Sequence, residues 1–122
     1  EKPDSVTALK KIWSYKKLED GTLQITNYKG SDTEIIVPAK IGKNAVSSIG
    51  ERAFYACYNL KTADLPDSVI GIEKMAFDNC TSLTGSAFNY RNMTSVVNKA
   101  RCFGKCTGLT DYDQMVADGW AD

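Results

Sequence analysis

The sequence contains no histidine. That removes Ser-His-Asp and Cys-His catalysis, histidine-ligated metal sites and histidine pH switches together. It also has no apolar run approaching the ~18 residues of a membrane span. It has no excess charge either. Fifteen Lys and Arg balance fifteen Asp and Glu, and the isoelectric point is near 6.5. There is thus no basic footprint for nucleic acid or an anionic membrane. The chain opens Glu1-Lys2-Pro3-Asp4-Ser5, without an initiator Met or an apolar signal core, and closes Asp118-Gly119-Trp120-Ala121-Asp122, without an anchor motif. It reads as a mature or trimmed chain. What is present is 122 residues with an ordinary hydrophobic share of 43%, enough for one domain with a real core.

The strongest internal signal is a repeat. Val46, Ile49, Ala53, Phe54, Cys57 and Leu60 recur as Val69, Ile72, Ala76, Phe77, Cys80 and Leu83, at a constant shift of 23. A third copy, at a shift of 26, holds Phe103, Cys106 and Leu109, with Cys102 in the small-residue slot of Ala53 and Ala76. Upstream of it Ser95 and Asn98 fall where Val and Ile should stand, beside Val96 and Val97. A recurrence of this kind implies a coil that sends apolar side chains inward at fixed places, so that neighbouring turns cover them. Leu60-x-x-Ala63-x-Leu65-Pro66 predicts a short strand with Ala63 and Leu65 inward, ended by Pro66, which has no N–H. Val69–Ile72 predicts a second extended piece. Residues 73–80 suit a helical turn grouping Ala76, Phe77 and Cys80. Glu34-Ile35-Ile36-Val37-Pro38 is an earlier partial coil ending in a similar apolar-Pro pair.

These residues resemble the BspA-like, Treponema-type leucine-rich repeat, over about residues 18–109. The resemblance is carried by Ile35-Ile36-Val37-Pro38, Val46, Ile49-Gly50, Ala53-Phe54, Cys57, Leu60, Leu65-Pro66, Ser68-Val69, Ile72, Ala76-Phe77, Cys80 and Leu83. Residues 84–101 depart from it, with Phe88-Asn89 in place of the apolar-Pro pair. It implies an α/β repeat: a short right-handed leucine-rich-repeat solenoid of about three coils, with an N-terminal β-hairpin cap and a C-terminal helical cap. The expected layout is one domain over 1–122, with 1–33 the N-terminal cap, 34–109 the repeats and 110–122 the C-terminal cap helix.

The ends fit that layout. Leu23 and Ile25 alternate with polar residues, and Asp20-Gly21 is a turn signal, so 15–28 reads as a hairpin. The resemblance also places a hairpin with this D-G-T turn ahead of the first coil. Val6, Leu9, Ile12 and Trp13 fall near helical spacing. Asp111-Tyr-Asp-Gln114 has the form of a capping box, which would set Tyr112, Met115, Val116 and Trp120 on one helical face against the last coil.

Catalytic and metal chemistry find little support. Cys102-x3-Cys106 is half a zinc site with nothing to complete it. Cys57, Cys80 and Cys106 take one slot per coil, and three equivalent positions cannot pair off symmetrically. Stacked, buried free thiols are therefore expected, with Cys102 alike, over a disulfide framework. No spacing selects two of the carboxylates as a glycosidase-like pair, and Glu51-Arg52 and Glu73-Lys74 read as solvated faces. Ile41-Gly42-Lys43-Asn44 is not a P-loop, since Val37 and Asn44 stand where Gly and Ser or Thr are needed. Asn79-Cys-Thr81 and Asn92-Met-Thr94 match glycosylation sequons by form alone.

The expected role is non-catalytic: protein binding, without cofactor or metal. Alternation points Glu34, Ile36, Thr62 and Asp64 outward, with Gly85 and Ala87 continuing the row, so this strand face is the candidate site. Ile36 either binds a partner there or packs on the hairpin. Tyr55 and Tyr58 are a second candidate, on the helical side of the coil. The resemblance implies a secreted or surface-displayed bacterial protein that adheres to other proteins, host proteins among them. A monomer without membrane insertion is expected. The competing readings are a spacer or capping module in a longer surface protein and a carboxylate-based hydrolase.

Overall fold

Ser5 caps the first helix, α1 (Val6–Ile12), by accepting a hydrogen bond from the Ala8 N–H at 3.1 Å. The computed structural model describes residues 5–85, 93–96 and 98–121. The hairpin follows directly, with β1 (Trp13–Lys17) antiparallel to β2 (Leu23–Tyr28). Its turn is built as the residues dictate. Gly21 takes φ +86°, and the Asp20 carboxylate accepts from the Thr22 N–H and hydroxyl.

Two sheets then grow by parallel addition. In the first, β2 pairs in parallel with β5 (Asn44–Ile49), and β5 with β7 (Gly71–Ile72), while β4 (Lys40–Ile41) lies antiparallel to β5. In the second, β3 (Glu34–Ile36) pairs in parallel with β6 (Thr62–Asp64). Ser95 continues the first ladder by backbone alone, its N–H donating to the Ile70 carbonyl. Val96 beside it packs against the core. This explains how the poorly matching third copy stays in line. Phe88-Asn89 and Ala87 lie outside the described residues.

The expected helical turn at 73–80 is not there. Residues 50–60, 73–83 and 99–109 are instead successive tight turns of one conformation. Arg52, Ala56, Met75, Asn79, Arg101 and Lys105 all have φ between 55° and 66°, which no right-handed helix allows. The six are related by the same shifts of 23 and 26 as the side chains. Alternate N–H groups close i→i−3 turns, as Ala53 to Gly50, Ala76 to Glu73 and Cys102 to Lys99. The N–H groups between them reach the next segment. Phe54 donates to Ala76 at 2.8 Å, Phe77 to Cys102 at 2.7 Å, and Phe103 to Trp120 at 2.9 Å. Every buried N–H here thus finds a carbonyl without a helix. The repeat itself contains no helix among the described residues.

Such left-handed positions cost a non-glycine residue roughly 1–2 kcal/mol. Lys105 is exposed, so its side chain contributes little packing. Lys105→Gly is expected to raise stability by about 0.5–1 kcal/mol, after the loss of chain entropy in the unfolded state. Lys105→Val should lower it. Urea midpoints of the two variants check this.

The core follows the repeat. Phe54, Phe77 and Phe103 are fully buried, and their rings stack in parallel, at 4.6 Å and 5.6 Å between centroids. The aromatic column runs on at both ends. Tyr28 stacks on Phe54 at 5.6 Å with Trp13 beside it, and Trp120 lies 6.4 Å from Phe103. Trp120 arrives there through α2 (Tyr112–Ala117), which ends in a Schellman motif. Gly119, at φ +87°, and Trp120 donate to Val116 and Met115. Two details of this end differ from expectation. Asp111 makes no capping bond, because its backbone (φ −96°, ψ 12°) is not extended, and Gln114 donates to Asp118 instead. Val116 faces solvent at 42% exposure, so the buried face is Met115 and Trp120 with half-buried Tyr112.

Candidate functional site

The β3–β6 pair sets out the row read from alternation. Ile35 and Val37 are buried and Ala63 is half-buried, all packed with the core. Glu34, Ile36, Thr62 and Asp64 are exposed. The register places Glu34 beside Thr62 and Ile36 beside Asp64. Ile36 is 76% exposed, the most exposed of the large hydrophobic residues among those described, so the hairpin does not cover it. Gly85 extends the row through a bridge to Leu109. Burying an isoleucine side chain is worth about 1.5–3 kcal/mol, so an exposed one between two carboxylates contributes nothing to this core.

Tyr55 and Tyr58 sit on the turn segment, not on a helix, and are 46% and 59% exposed. Arg52 lies over the Tyr55 ring at 5.8 Å. Tyr58 lines a cleft of about 290 Å³ with Tyr28, Asp32, Cys57 and Leu60. Tyr28 is held in this wall by the Asp32 N–H, which donates to its hydroxyl at 3.1 Å, and burial pushes its phenol up.

The cysteine column is free of disulfides among the described residues. The Cys80 thiol donates to the Phe54 carbonyl at 3.0 Å and Cys106 to that of Phe77 at 3.2 Å. Cys102 donates to the Glu73 carbonyl at 3.1 Å. Cys57, expected to be buried, is half-exposed, because it begins the column and no earlier cysteine covers it. Its hydrogen bond with Cys80, with burial second, holds the Cys57 thiol well above the ordinary range. Hydrogen bonding to Cys106 holds Cys80 up at about 12, and burial does the same for Cys102, also at about 12. Thiols held protonated are poor nucleophiles. Native protein treated with iodoacetamide should therefore gain at most one slow adduct, on Cys57. Denatured protein without reductant should gain one on each of the four cysteines. Intact mass reads both, and two missing adducts would reveal a disulfide.

Two carboxylates do come together. Glu51 and Glu73 line an open polar depression of about 280 Å³ with Lys16, Lys74, Gln24 and Asn98. Burial raises the Glu73 carboxyl, with Lys16 lowering it and Glu51 raising it. Two lysines facing two glutamates neutralise each other in water, and an open depression lacks the walls that would hold a substrate away from solvent. Sequence reasoning missed Asp78, which is 2% exposed with Arg101 at 3.5 Å. It occupies the slot of exposed Tyr55, so the repeat gave no warning. It also missed Ile70, 44% exposed next to β7. The alternation of Val69-Ile70-Gly71-Ile72 could have shown it.

A family model described as BspA type leucine rich repeat region matches residues 17–115, in six copies. A leucine rich cell surface protein from Faecalibacterium prausnitzii A2-165 is 35% identical, over 80% of this chain and 27% of that one, with a TM-score of 0.64. The Treponema pallidum leucine rich repeat protein is 25% identical, over 64% of this chain and 48% of that one, with a TM-score of 0.52. A leucine-rich repeat protein from Bacteroides capillosus ATCC 29799 shares the fold at 20% identity and a TM-score of 0.51, over 70% of this chain and 83% of that one. The chain thus spans less than half the length of the first two. No curated protein matches it.

Proposed function

The chain belongs to the BspA-type leucine-rich repeat family, and from that premise we propose that it is a non-catalytic protein-binding module of a bacterial surface protein. The surface location rests on the family and on the cell-surface relative from Faecalibacterium. On this reading residues 1–122 form one unit, with the hairpin and α2 covering the end coils. The partner is another protein, host proteins included, gripped for adhesion. Ile36 carries the proposal: 76% exposed, on a strand rather than a loop, with Glu34, Thr62 and Asp64 around it. A fixed apolar residue within a polar rim is how small recognition surfaces are built.

The test is capture of extracellular-matrix and serum proteins on immobilised protein. Ile36→Glu with Asp64→Lys should abolish capture and leave the melting temperature unchanged, because neither side chain is in the core. Full retention would move the site to Tyr55 and Tyr58 or the loops. Capture of nothing by the wild type would favour a spacer.

A further inference from the structure

The second sheet starts abruptly. The hairpin adds β1 and β2 to the β5 sheet, but among the described residues β3 has a strand neighbour on one side only. The backbone hydrogen bonds to β6 fix which groups are used. Thr62 donates to the Thr33 carbonyl and Val37 to that of Asp64. In a parallel pair such bonds come from every second residue. Thr33, Ile35 and Val37 therefore face β6, while the N–H and C=O of Glu34 and Ile36 point to the other side. Among the described residues nothing pairs with them there. The far side of β6 is different, because the Thr84 N–H already donates to the Lys61 carbonyl.

What lies beside the open edge is a groove of about 210 Å³ between β3 and α1. Leu9, Ile12, Trp13 and Ile35 are among its apolar walls, and its charged lining residues are Asp32 and Glu34. Clefts for small organic ligands start near 300 Å³. This one suits one or two aliphatic side chains. Pro38 follows Val37 and closes the edge at that end, so pairing is confined to residues 33–37.

We propose that the open edge of β3 binds an extended, basic segment of a partner protein by β-strand addition. The partner's backbone pairs with the N–H and C=O of Glu34 and Ile36. One aliphatic side chain enters the groove against Leu9 and Ile12, and its basic residues meet Asp32 and Glu34. Main-chain bonds supply the affinity in this mode and the side-chain pocket supplies the selectivity. A second copy of this chain is a poor occupant. Antiparallel self-pairing about Ile35 would set each Glu34 opposite the other copy's Ile36, and residues 33–37 bring no basic side chain to meet Asp32 and Glu34. The inference deepens the strand-face reading and rests on it.

The probe is a synthetic hexapeptide alternating lysine and valine, titrated into the whole chain and followed by amide NMR. Shifts should concentrate at residues 33–37. N-methylation of the peptide's edge-facing amides, or exchange of its lysines for glutamates, should each weaken binding roughly tenfold. Ile36→Pro removes an edge donor but no bond to β6, and should do the same at an unchanged melting temperature. Ile36→Thr, which keeps the donor, should bind more tightly than Ile36→Pro. Equal binding of the N-methylated peptide overturns the proposal even if Ile36→Pro fails to fold. So does a dimer, in sedimentation, that Ile36→Pro dissociates. If the edge variants bind the hexapeptide like wild type, while Ile36→Glu with Asp64→Lys still loses captured protein, strand addition falls and the strand face stands.

Discussion

Phe77→Ala is expected to lower stability by roughly 3–5 kcal/mol, which is a large part of the ~5–15 kcal/mol a domain of this size has. Phe77 is fully buried, and its ring lies between Phe54 at 4.6 Å and Phe103 at 5.6 Å. Its backbone cannot move to fill the hole, because its N–H is tied to Cys102 and its carbonyl receives the Cys106 thiol. Where neighbours cannot collapse, the cavity adds to the lost transfer energy. Equilibrium urea unfolding measures the difference. A midpoint equal to wild type would mean that the column does not hold the segments together.

Trp120→Ala should cost about 3 kcal/mol and should act locally. Trp120 is 8% exposed, with the Phe103 ring on one side and the Lys99 ammonium 5.7 Å over its own ring. Its carbonyl accepts the Phe103 N–H, so α2 closes the ladder as well as the aromatic column. Amide exchange at Phe103 should accelerate more than at Phe54, which lies two rings away. Equal acceleration at both would mean one cooperative unit without a separate end cover.

The column was legible because side chains at one slot recur at one shift, whatever the backbone between them does. The backbone itself was not. Ala76, Phe77 and Cys80 fall together on a helix, but successive tight turns group them as well. The deciding feature is a left-handed backbone at Arg52, Ala56, Met75, Asn79, Arg101 and Lys105. Only Asn79 among these is a residue type that favours it. Tyr28 joins the column from outside the repeat, so no offset could reveal it. Ile36 was legible from alternation over Glu34–Val37, but alternation says only which way it points. That nothing covers it depends on where the hairpin goes, and the hairpin joins the other sheet. Cys57 shares its slot with two buried cysteines and differs by standing first in line.

The proposed site stands or falls on where a partner touches the chain. The direct measurement is amide hydrogen exchange on the chain alone and bound to a captured protein. New protection should appear at residues 33–37 and 61–65, with residues 55–58 and the Glu51–Glu73 depression unchanged. Protection confined to Tyr55 and Tyr58, with β3 and β6 exchanging as in the free chain, would contradict it.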